Sequence, residues 1–309
     1  MSATSTPVRR GRRFRASPTS GPPGEPRGIG WVYLAPALVM YCLFELAPFL
    51  HSIYLAFFTW DGIGPRMFVG LNNFRAIWNS PTFRLGFLHA FELIFFYSVL
   101  PVAIGLVLVS VMNRSRIRGL TAFRTVLFLP YIVAPTAVAV IWRWLLSPDG
   151  PINSALTAVG LGRLSRPWLG DFTFALPSIG LVGTWVMFGL VLVLLLAGVQ
   201  KIPVELYEAV KIDAGGAWWE FRAVTLPGLR YEISVVLVLT VTAALRNFDL
   251  VYVMTGGGPG TSTVVPSYLV YQQAFVVGAL GGAAAIGVVL AALIAVVNII
   301  ITRIGGAAS

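Results

Sequence analysis

Long uninterrupted apolar stretches dominate the pattern of hydrophobic and polar positions along this chain. A helix needs about 20 mainly apolar residues to cross the hydrocarbon core of a bilayer, and stretches of this length recur along the chain. Barrel strands would show short segments of alternating polarity, whereas these stretches are continuous. The pattern therefore predicts an all-α integral membrane protein whose six transmembrane helices cover residues 31–58, 85–112, 123–146, 176–199, 232–254 and 272–302.

The composition agrees with this prediction. Hydrophobic residues make up 57% of the 309 residues and charged residues 11%, and the mean hydropathy is +0.82. These values lie far outside the range of a soluble domain. The first apolar stretch is too long and too far from the N-terminus for a signal peptide, so we expect it to remain in the mature protein.

Residues 1–29 are rich in Arg, Pro, Ser and Gly. Such a segment cannot bury enough apolar surface to fold alone, so we expect a disordered basic cytoplasmic tail before a transmembrane domain of residues 30–309. Its arginines would contact anionic lipid of the bilayer. Although the net charge is +10, basic residues in a membrane protein first signal topology, and we expect no nucleic-acid partner.

The basic residues also orient the helices. With the N-terminus inside, most of the 22 Lys and Arg residues fall on the cytoplasmic side. The outer loops would then hold only Arg66, Arg75, Arg84, Arg163 and Arg166. The positive-inside rule therefore places both termini and the loop of residues 200–231 in the cytoplasm. The preference for Arg over Lys suggests a GC-rich bacterial genome, hence a multi-pass protein of the bacterial inner (plasma) membrane.

Residues 200–231, here called the charged segment, form the one stretch of soluble character between long apolar runs. The part from Glu205 to Pro227 mixes acidic, basic and apolar residues, and Leu226-Pro227 predicts where its helix stops. Such a segment is well placed to dock a water-soluble partner.

The charged segment resembles the coupling loop of permease subunits of ATP-binding-cassette (ABC) importers. That motif reads E-A-A, three residues, G, nine residues, I, one residue, L-P. Glu208, Ala209, Leu226 and Pro227 fit this spacing, whereas Val210, Ala214 and Val224 replace three motif residues and Gly215 stands one position late. The resemblance implies that Glu208, Ala209, Asp213, Gly215, Leu226 and Pro227 contact an ATPase.

Other segments resemble the sugar-type branch of these permeases, similar to those for maltose and glycerol phosphate. The matching segments are Gly70-Leu71-Asn72-Asn73-Phe74, Leu129-Pro130-Tyr131, Trp142-Arg143-Trp144, residues 147–153 and residues 247–259. The family implies several partners: a second homologous permease, a dimer of ABC ATPases that binds the ATP, and an extracytoplasmic solute-binding protein. The resemblance covers nearly everything except the tail.

The resemblance also implies a substrate path along the fourth and fifth helices. Aligning this chain with the maltose-type permease puts sugar contacts at Thr240, Ala243, Ala244 and Asn247, and at Gly183, Val186, Met187 and Leu190. The candidate path residues are Asn247, Thr240, Tyr131, Met187, Leu190, Phe248 and Asp249. Arg246 and Asp249 stand three apart on a helix, so pairing with each other or a nearby helix is the first interpretation and substrate contact the second.

Residue patterns for catalysis are missing from the sequence. No G-x-x-x-x-G-K-[ST] loop occurs, and neither His51 nor His89 has a metal-ligand partner at a suitable spacing. Cys42 is the one cysteine, so no intramolecular disulfide forms. We therefore expect no enzyme activity, no metal and no cofactor in this chain, with ATP bound by a partner subunit.

These patterns predict a permease subunit that forms, with a second permease, the path of an ATP-driven importer for a carbohydrate or related polar solute. The alternative is a self-contained secondary transporter or channel for a small polar solute. Such a protein often contains an internal repeat, and we find no matching halves in this sequence. A cytoplasmic coupling loop would also have no role in it.

Overall fold

The computed structural model describes residues 29–114, 120–212 and 215–306. The predicted tail lies outside this part of the chain except for its last residue, and Asp213 also lies outside it. The chain divides into two compact units, Met1–His51 and Ser52–Ser309. Helix α1 (Ile29–Tyr41), a π-helical turn (Cys42–Leu46) and helix α2 (Ala47–Leu55) follow one another without interruption and form the first span.

The first span ends three residues earlier than the predicted boundary at residue 58. Strands β1 (Phe58–Thr59) and β2 (Met67–Phe68) pair antiparallel and form a short hairpin, which helix α3 (Asn72–Asn79) follows. At the tip of the hairpin, Asp61 Oδ1 accepts hydrogen bonds from the backbone N–H groups of Ile63 (3.0 Å) and Gly64 (2.8 Å). These bonds close the turn that redirects the chain.

The second span is a continuous helix of three parts: α4 (Pro81–Ile94), a π-helical turn (Phe95–Val99) and α5 (Leu100–Arg114). Ser80 caps its first turn, since the Ser80 hydroxyl accepts from the Phe83 N–H at 3.4 Å and Pro81 occupies the first helical position. This cap starts the helix four residues before the predicted boundary at residue 85.

The third span is broken. Helices α6 (Leu120–Ile132) and α7 (Pro135–Leu145) meet at a bend of 101°. Ala134 has the extended backbone (φ −54°, ψ 130°) to which a following proline restricts a residue. The break therefore arises at Pro135, while Pro130 stays inside α6.

The rest of the chain contains three further spans. Helix α8 (Pro151–Ala158) and a 3₁₀ turn (Gly162–Leu164) precede α9 (Ala175–Val199), the fourth span. The fifth span consists of α13 (Arg230–Leu245) and α14 (Asp249–Met254), with a break at residues 246–248. Between the fourth and fifth spans lie α10 (Val204–Ile212), α11 (Ala217–Glu220), a π-helical turn (Phe221–Thr225) and α12 (Leu226–Gly228).

The sixth span differs from its predicted extent. Residues 272–276, expected at its start, instead form a π-helical turn (Gln272–Val276) that follows α15 (Pro266–Tyr271), and the span itself is α16 (Leu280–Gly306). Gly278 separates the two because its φ of +75° is incompatible with a continuing right-handed helix. In the described ranges, five helices are long and apolar enough to cross a membrane, and the bent pair completes the six predicted spans.

The fourth span forms the centre of the bundle. Its side chains Ile179, Leu192 and Leu195 are fully buried, and α9 packs against α5, α6 and α13. A Cβ atom at Gly189 would overlap the backbone carbonyl oxygen of Leu127, so a glycine is needed where α6 crosses α9. Small residues of this kind let membrane helices approach closely.

Candidate coupling segment and transport path

The charged segment folds as two short helical limbs between the fourth and fifth spans. The first limb is α10, and the second runs from α11 through the π-helical turn to α12. The Tyr207 hydroxyl lies 3.2 Å from Thr225 Oγ1, and both side chains are buried. This contact fixes the first limb against the part of the chain that leads directly into the fifth span.

Gly215 makes the turn between the limbs. Its N–H donates to the carbonyl oxygen of Val210 at 2.9 Å, as at many helix C-termini. A Cβ atom at position 215 would lie 2.8 Å from that oxygen and 2.5 Å from Val210 Cγ1. The turn therefore needs a glycine at 215, and Gly215 can serve for the motif glycine despite its shift of one position.

The second limb ends one residue after Pro227, close to the stop that the sequence predicts. The second limb continues through α12 to Gly228, and α13 begins at Arg230 after a single turn residue. Proline cannot donate a backbone hydrogen bond, and the π-helical turn immediately before it alters the local pairing. The limb therefore leads into the fifth span with only Leu229 between the two helices.

The outer face of the charged segment combines exposed acidic and apolar side chains. Glu208 and Ala209 are exposed, as are Leu226 and Pro227. Large apolar side chains nearby are also exposed, namely Val204, Leu206, Ile212, Trp218 and Trp219. Several large exposed apolar side chains close together in a charged segment are typical of a protein-binding site.

At the opposite end of the bundle, motif asparagines hold the loops together. Asn73 Nδ2 donates to the carbonyl oxygens of Ala56 (2.8 Å) and Phe58 (3.0 Å), which ties α3 to the end of the first span. Asn153, 3% exposed, makes hydrogen bonds with several groups of the loop that joins the third and fourth spans. These two motif residues therefore have structural roles.

A cavity of about 260 Å³ lies beside the break in the fifth span, and we call it the fifth-span cavity. Its lining residues are Tyr97, Pro135, Val186, Met187, Thr242, Ala243, Arg246, Asn247, Phe248, Asp249 and Leu250. The structure thus brings together four of the candidate path residues, which come from the fourth and fifth spans. Tyr97, from the π-helical turn of the second span, carried no signal in the sequence that would mark it as a lining residue.

The other candidate path residues lie elsewhere. Thr240 is fully buried, and its hydroxyl donates to the Val236 carbonyl oxygen at 2.9 Å, so it does not reach the cavity. Tyr131 is half-exposed on α6, where its ring lies 5.4 Å from that of Phe128. Leu190 is partly buried on α9 and does not line the cavity.

Arg246 and Asp249 do not pair with each other, which contradicts the first interpretation of their spacing. The break at residues 246–248 removes the helical geometry that would have put them on neighbouring positions. Both are exposed at the cavity. The ion pair seen in the described part of the chain is instead Lys201 with Glu232, at 2.9 Å.

The described residues offer no group of three or more His, Cys, Asp or Glu side chains that could hold a metal ion. What the arrangement does provide is an exposed surface with large apolar side chains at one end of a helical bundle, and a mainly apolar cavity with a few polar groups within it.

Comparison with known proteins identifies the family. Residues 103–307 match the family described as "Binding-protein-dependent transport system inner membrane component". The "Probable ABC transporter permease protein YurN" of Bacillus subtilis is 34% identical over 265 residues, covering 85% of this chain and 90% of that protein. The "Lactose transport system permease protein LacF" of Rhizobium radiobacter is 32% identical over 250 residues, covering 80% and 83%.

A solved structure has the same fold. It is the crystal structure of a bacterial alginate ABC transporter in complex with an alginate pentasaccharide-bound periplasmic protein. Its matching chain superposes with a TM-score of 0.76 at 21% identity, over 89% of this chain and 93% of that one. The protein therefore belongs to the binding-protein-dependent transport system inner membrane component family, as a membrane-spanning permease subunit of the sugar ABC importer type.

Proposed function

We propose that this chain forms, together with a second homologous permease, the translocation path of an importer for a saccharide or related polar solute. A separate dimer of ABC ATPases supplies the energy, and an extracytoplasmic solute-binding protein delivers the solute. Both termini and the charged segment face the cytoplasm. The names of the lactose permease and of the alginate transporter complex support the saccharide and the binding protein.

The observation that carries this proposal is the exposed face of the charged segment. Ile212, Trp218 and Trp219 are 84%, 65% and 62% exposed, whereas Tyr207 of the first limb is 8% exposed. Exposed aromatic side chains of this size are characteristic anchors of protein interfaces. Because the segment connects two spans, the water-soluble partner that covers it is the ATPase.

The contacts behind this face suggest how movement is transmitted. Tyr207 and Thr225 join the two limbs, and the second limb continues past Pro227 into the fifth span. The ion pair between Lys201 and Glu232 joins the end of the fourth span to the start of the fifth. Displacement of the charged segment by the ATPase would therefore move the fourth and fifth spans, which provide most of the lining of the fifth-span cavity, in a rigid-body switch between inward-open and outward-open states.

The first test is affinity purification of the chain, tagged at its C-terminus, from its native membrane after gentle extraction. We expect a second permease, an ATPase and a binding protein to co-purify. Uptake should stop on ATP depletion and persist with an ionophore. Recovery of the chain alone, with transport intact after reconstitution, would instead indicate a self-contained transporter.

The second test is Glu208→Lys, which reverses the charge of the exposed motif carboxylate. We expect membrane insertion to be unchanged while co-purification of the ATPase and uptake are lost. Asp149→Lys makes the same change on an exposed loop at the other end of the bundle and should leave co-purification of the ATPase intact. Full uptake by the Glu208→Lys protein would refute the assigned role of Glu208.

A further inference from the structure

The fifth-span cavity contains polar groups for which the described chain offers no partner. At the break in the fifth span, four consecutive residues line one wall of the cavity. They are Arg246, Asn247, Phe248 and Asp249. These residues lie about two-thirds of the way along the span Arg230–Met254. Ionisable and polar groups within a membrane span are costly and are functional candidates by default.

Asn247 is the clearest of these groups. Its side chain is 8% exposed, and its Nδ2 atom has no hydrogen-bond partner among the described residues. Its backbone carbonyl is already engaged, since it accepts from the Ser267 hydroxyl at 2.5 Å. That bond holds the residue in place, and its amide nitrogen is buried at the cavity wall without a partner among the described residues. A buried donor without a partner is energetically unfavourable, and a hydrogen-bond acceptor on a ligand would relieve that cost.

Arg246 and Asp249 add opposite charges to the same wall. Each is exposed, and within the described ranges neither forms an ion pair. An arginine side chain offers only donors, the amide Nδ2 of Asn247 is also a donor, and an ionised aspartate only accepts. Whatever occupies the cavity must therefore accept hydrogen bonds at one point and donate one close by.

Solute groups differ in whether they can accept hydrogen bonds from Arg246 and Asn247 and also donate one to Asp249. A carboxylate would satisfy Arg246 and Asn247 but would repel Asp249, and an ammonium group would satisfy Asp249 but would repel Arg246. A hydroxyl group both donates and accepts, so two adjacent hydroxyls on one ring can satisfy all three residues. The balanced charges of this wall thus favour an uncharged polyol.

The remaining lining suits a sugar ring. Phe248 lies at the cavity and stacks on Tyr252, with ring centroids 5.1 Å apart and an interplanar angle of 14°. An aromatic ring held in this way presents a fixed apolar surface for the C–H face of a pyranose. The volume of about 260 Å³ is just below the roughly 300–1,000 Å³ of complete ligand sites, as expected of one half of a shared path.

We propose that Arg246 and Asp249 select the solute by charge, and that the solute is an uncharged saccharide with adjacent hydroxyls rather than a uronate or an amino sugar. This inference rests on the proposed function as a saccharide permease. It assigns a specificity role to two residues that lie outside the sugar-contact positions indicated by the family alignment.

The first experiment measures which charge class enters the cell. The gene is deleted from the source organism and then restored. Initial uptake of each probe is measured by mass spectrometry in the deletion strain and in the restored strain, and the difference is taken as uptake through this protein. The probes are lactose, maltotriose and diacetylchitobiose (uncharged), digalacturonate (anionic) and chitobiose with free amino groups (cationic). We expect accumulation of at least one uncharged probe and of neither charged probe. Accumulation of a charged probe at a comparable rate, or of no uncharged probe, would overturn the inference.

The second experiment tests the two residues with the uncharged probe that accumulates. Asp249→Asn and Arg246→Gln each remove one charge with little change of shape. We expect each to lower uptake about tenfold or more, since hydrogen bonds to charged groups are lost, while assembly with the ATPase and basal ATP hydrolysis remain. Arg303→Gln, an exposed arginine in the last turn of α16, is the matched control and should leave uptake unchanged.

Two results would count against the inference here. Unchanged uptake in both variants would exclude solute contact. Loss of the second permease from the purified complex together with uptake would show that the charges pair across the subunit interface instead. Failure of the proposed function has a different signature, because uptake of an uncharged probe would then persist after ATP depletion.

Discussion

Replacement of Asn153 by alanine should open the loop between the third and fourth spans. The Asn153 side chain is at the centre of this loop. Its Nδ2 atom donates to the carbonyl oxygens of Ser147 (3.3 Å), Pro148 (3.0 Å) and Arg166 (2.9 Å). Its Oδ1 atom accepts from Trp168 Nε1 at 2.8 Å and from the Arg166 N–H at 3.4 Å.

The expected increase in the open population of the loop follows from the number of these hydrogen bonds. The amide has two N–H groups to share among three carbonyls, and one of the two bonds to Oδ1 is long. Three good hydrogen bonds, each with a net contribution of about 1 kcal/mol, amount to about 3 kcal/mol. Since about 1.4 kcal/mol corresponds to a factor of ten, the open population of the loop should rise roughly 100-fold.

Hydrogen exchange measured by mass spectrometry on the purified complex is the assay. Amides in residues 147–168 should exchange roughly 100-fold faster in the Asn153→Ala protein, while those in the centre of α9 should not change. Ser154→Ala alters the exposed neighbour and should leave exchange as in the wild type. Asn153→Asp removes both N–H donors and should also open the loop. Exchange in Asn153→Ala equal to that in Ser154→Ala would refute this account.

Three further outcomes are expected. Gly189→Ala should destabilise the protein by about 1–3 kcal/mol, because the new methyl group meets the Leu127 backbone; Gly287→Ala, with no atom nearby, should not lower the thermal midpoint. The N–H groups of Ile63 and then Gly64 lower the pKa of the exposed Asp61 carboxyl. The turn should therefore be fully ordered above about pH 4 and loosen as the pH falls through this lowered pKa, whereas Asp61→Asn should remove this pH dependence in amide NMR spectra. Asn247→Ala should lower uptake about tenfold with basal ATP hydrolysis intact, and unchanged uptake kinetics would remove Asn247 from the path.

Motif spacing identified important residues, but it did not predict which groups their side chains contact. Asn73 and Asn153 were recognised as parts of family motifs, but their structural roles depend on carbonyl groups up to 17 residues away. A side chain's partners depend on where the chain returns, which local sequence does not specify.

The ends of the helices were also only partly predictable from local sequence. Hydropathy alone predicted 176–199 for the fourth span, which corresponds to α9, Ala175–Val199, because this helix is apolar from end to end. The sixth span was predicted from residue 272, since the residues before Gly278 are also apolar. Only the left-handed backbone at Gly278 separates these residues from α16.

Composition and hydropathy by themselves determined the class of protein, the number of spans and the position of the charged segment, because the cost of burying backbone and charge in lipid acts on every residue. The family motifs in the sequence indicated an importer permease. Only the tertiary structure decided that the third span bends at Pro135, that Arg246 and Asp249 form no ion pair with any described residue, and that Tyr97 joins them at one cavity. These features arise from contacts between distant helices, and their geometry is set by close packing rather than by the polarity of any single segment.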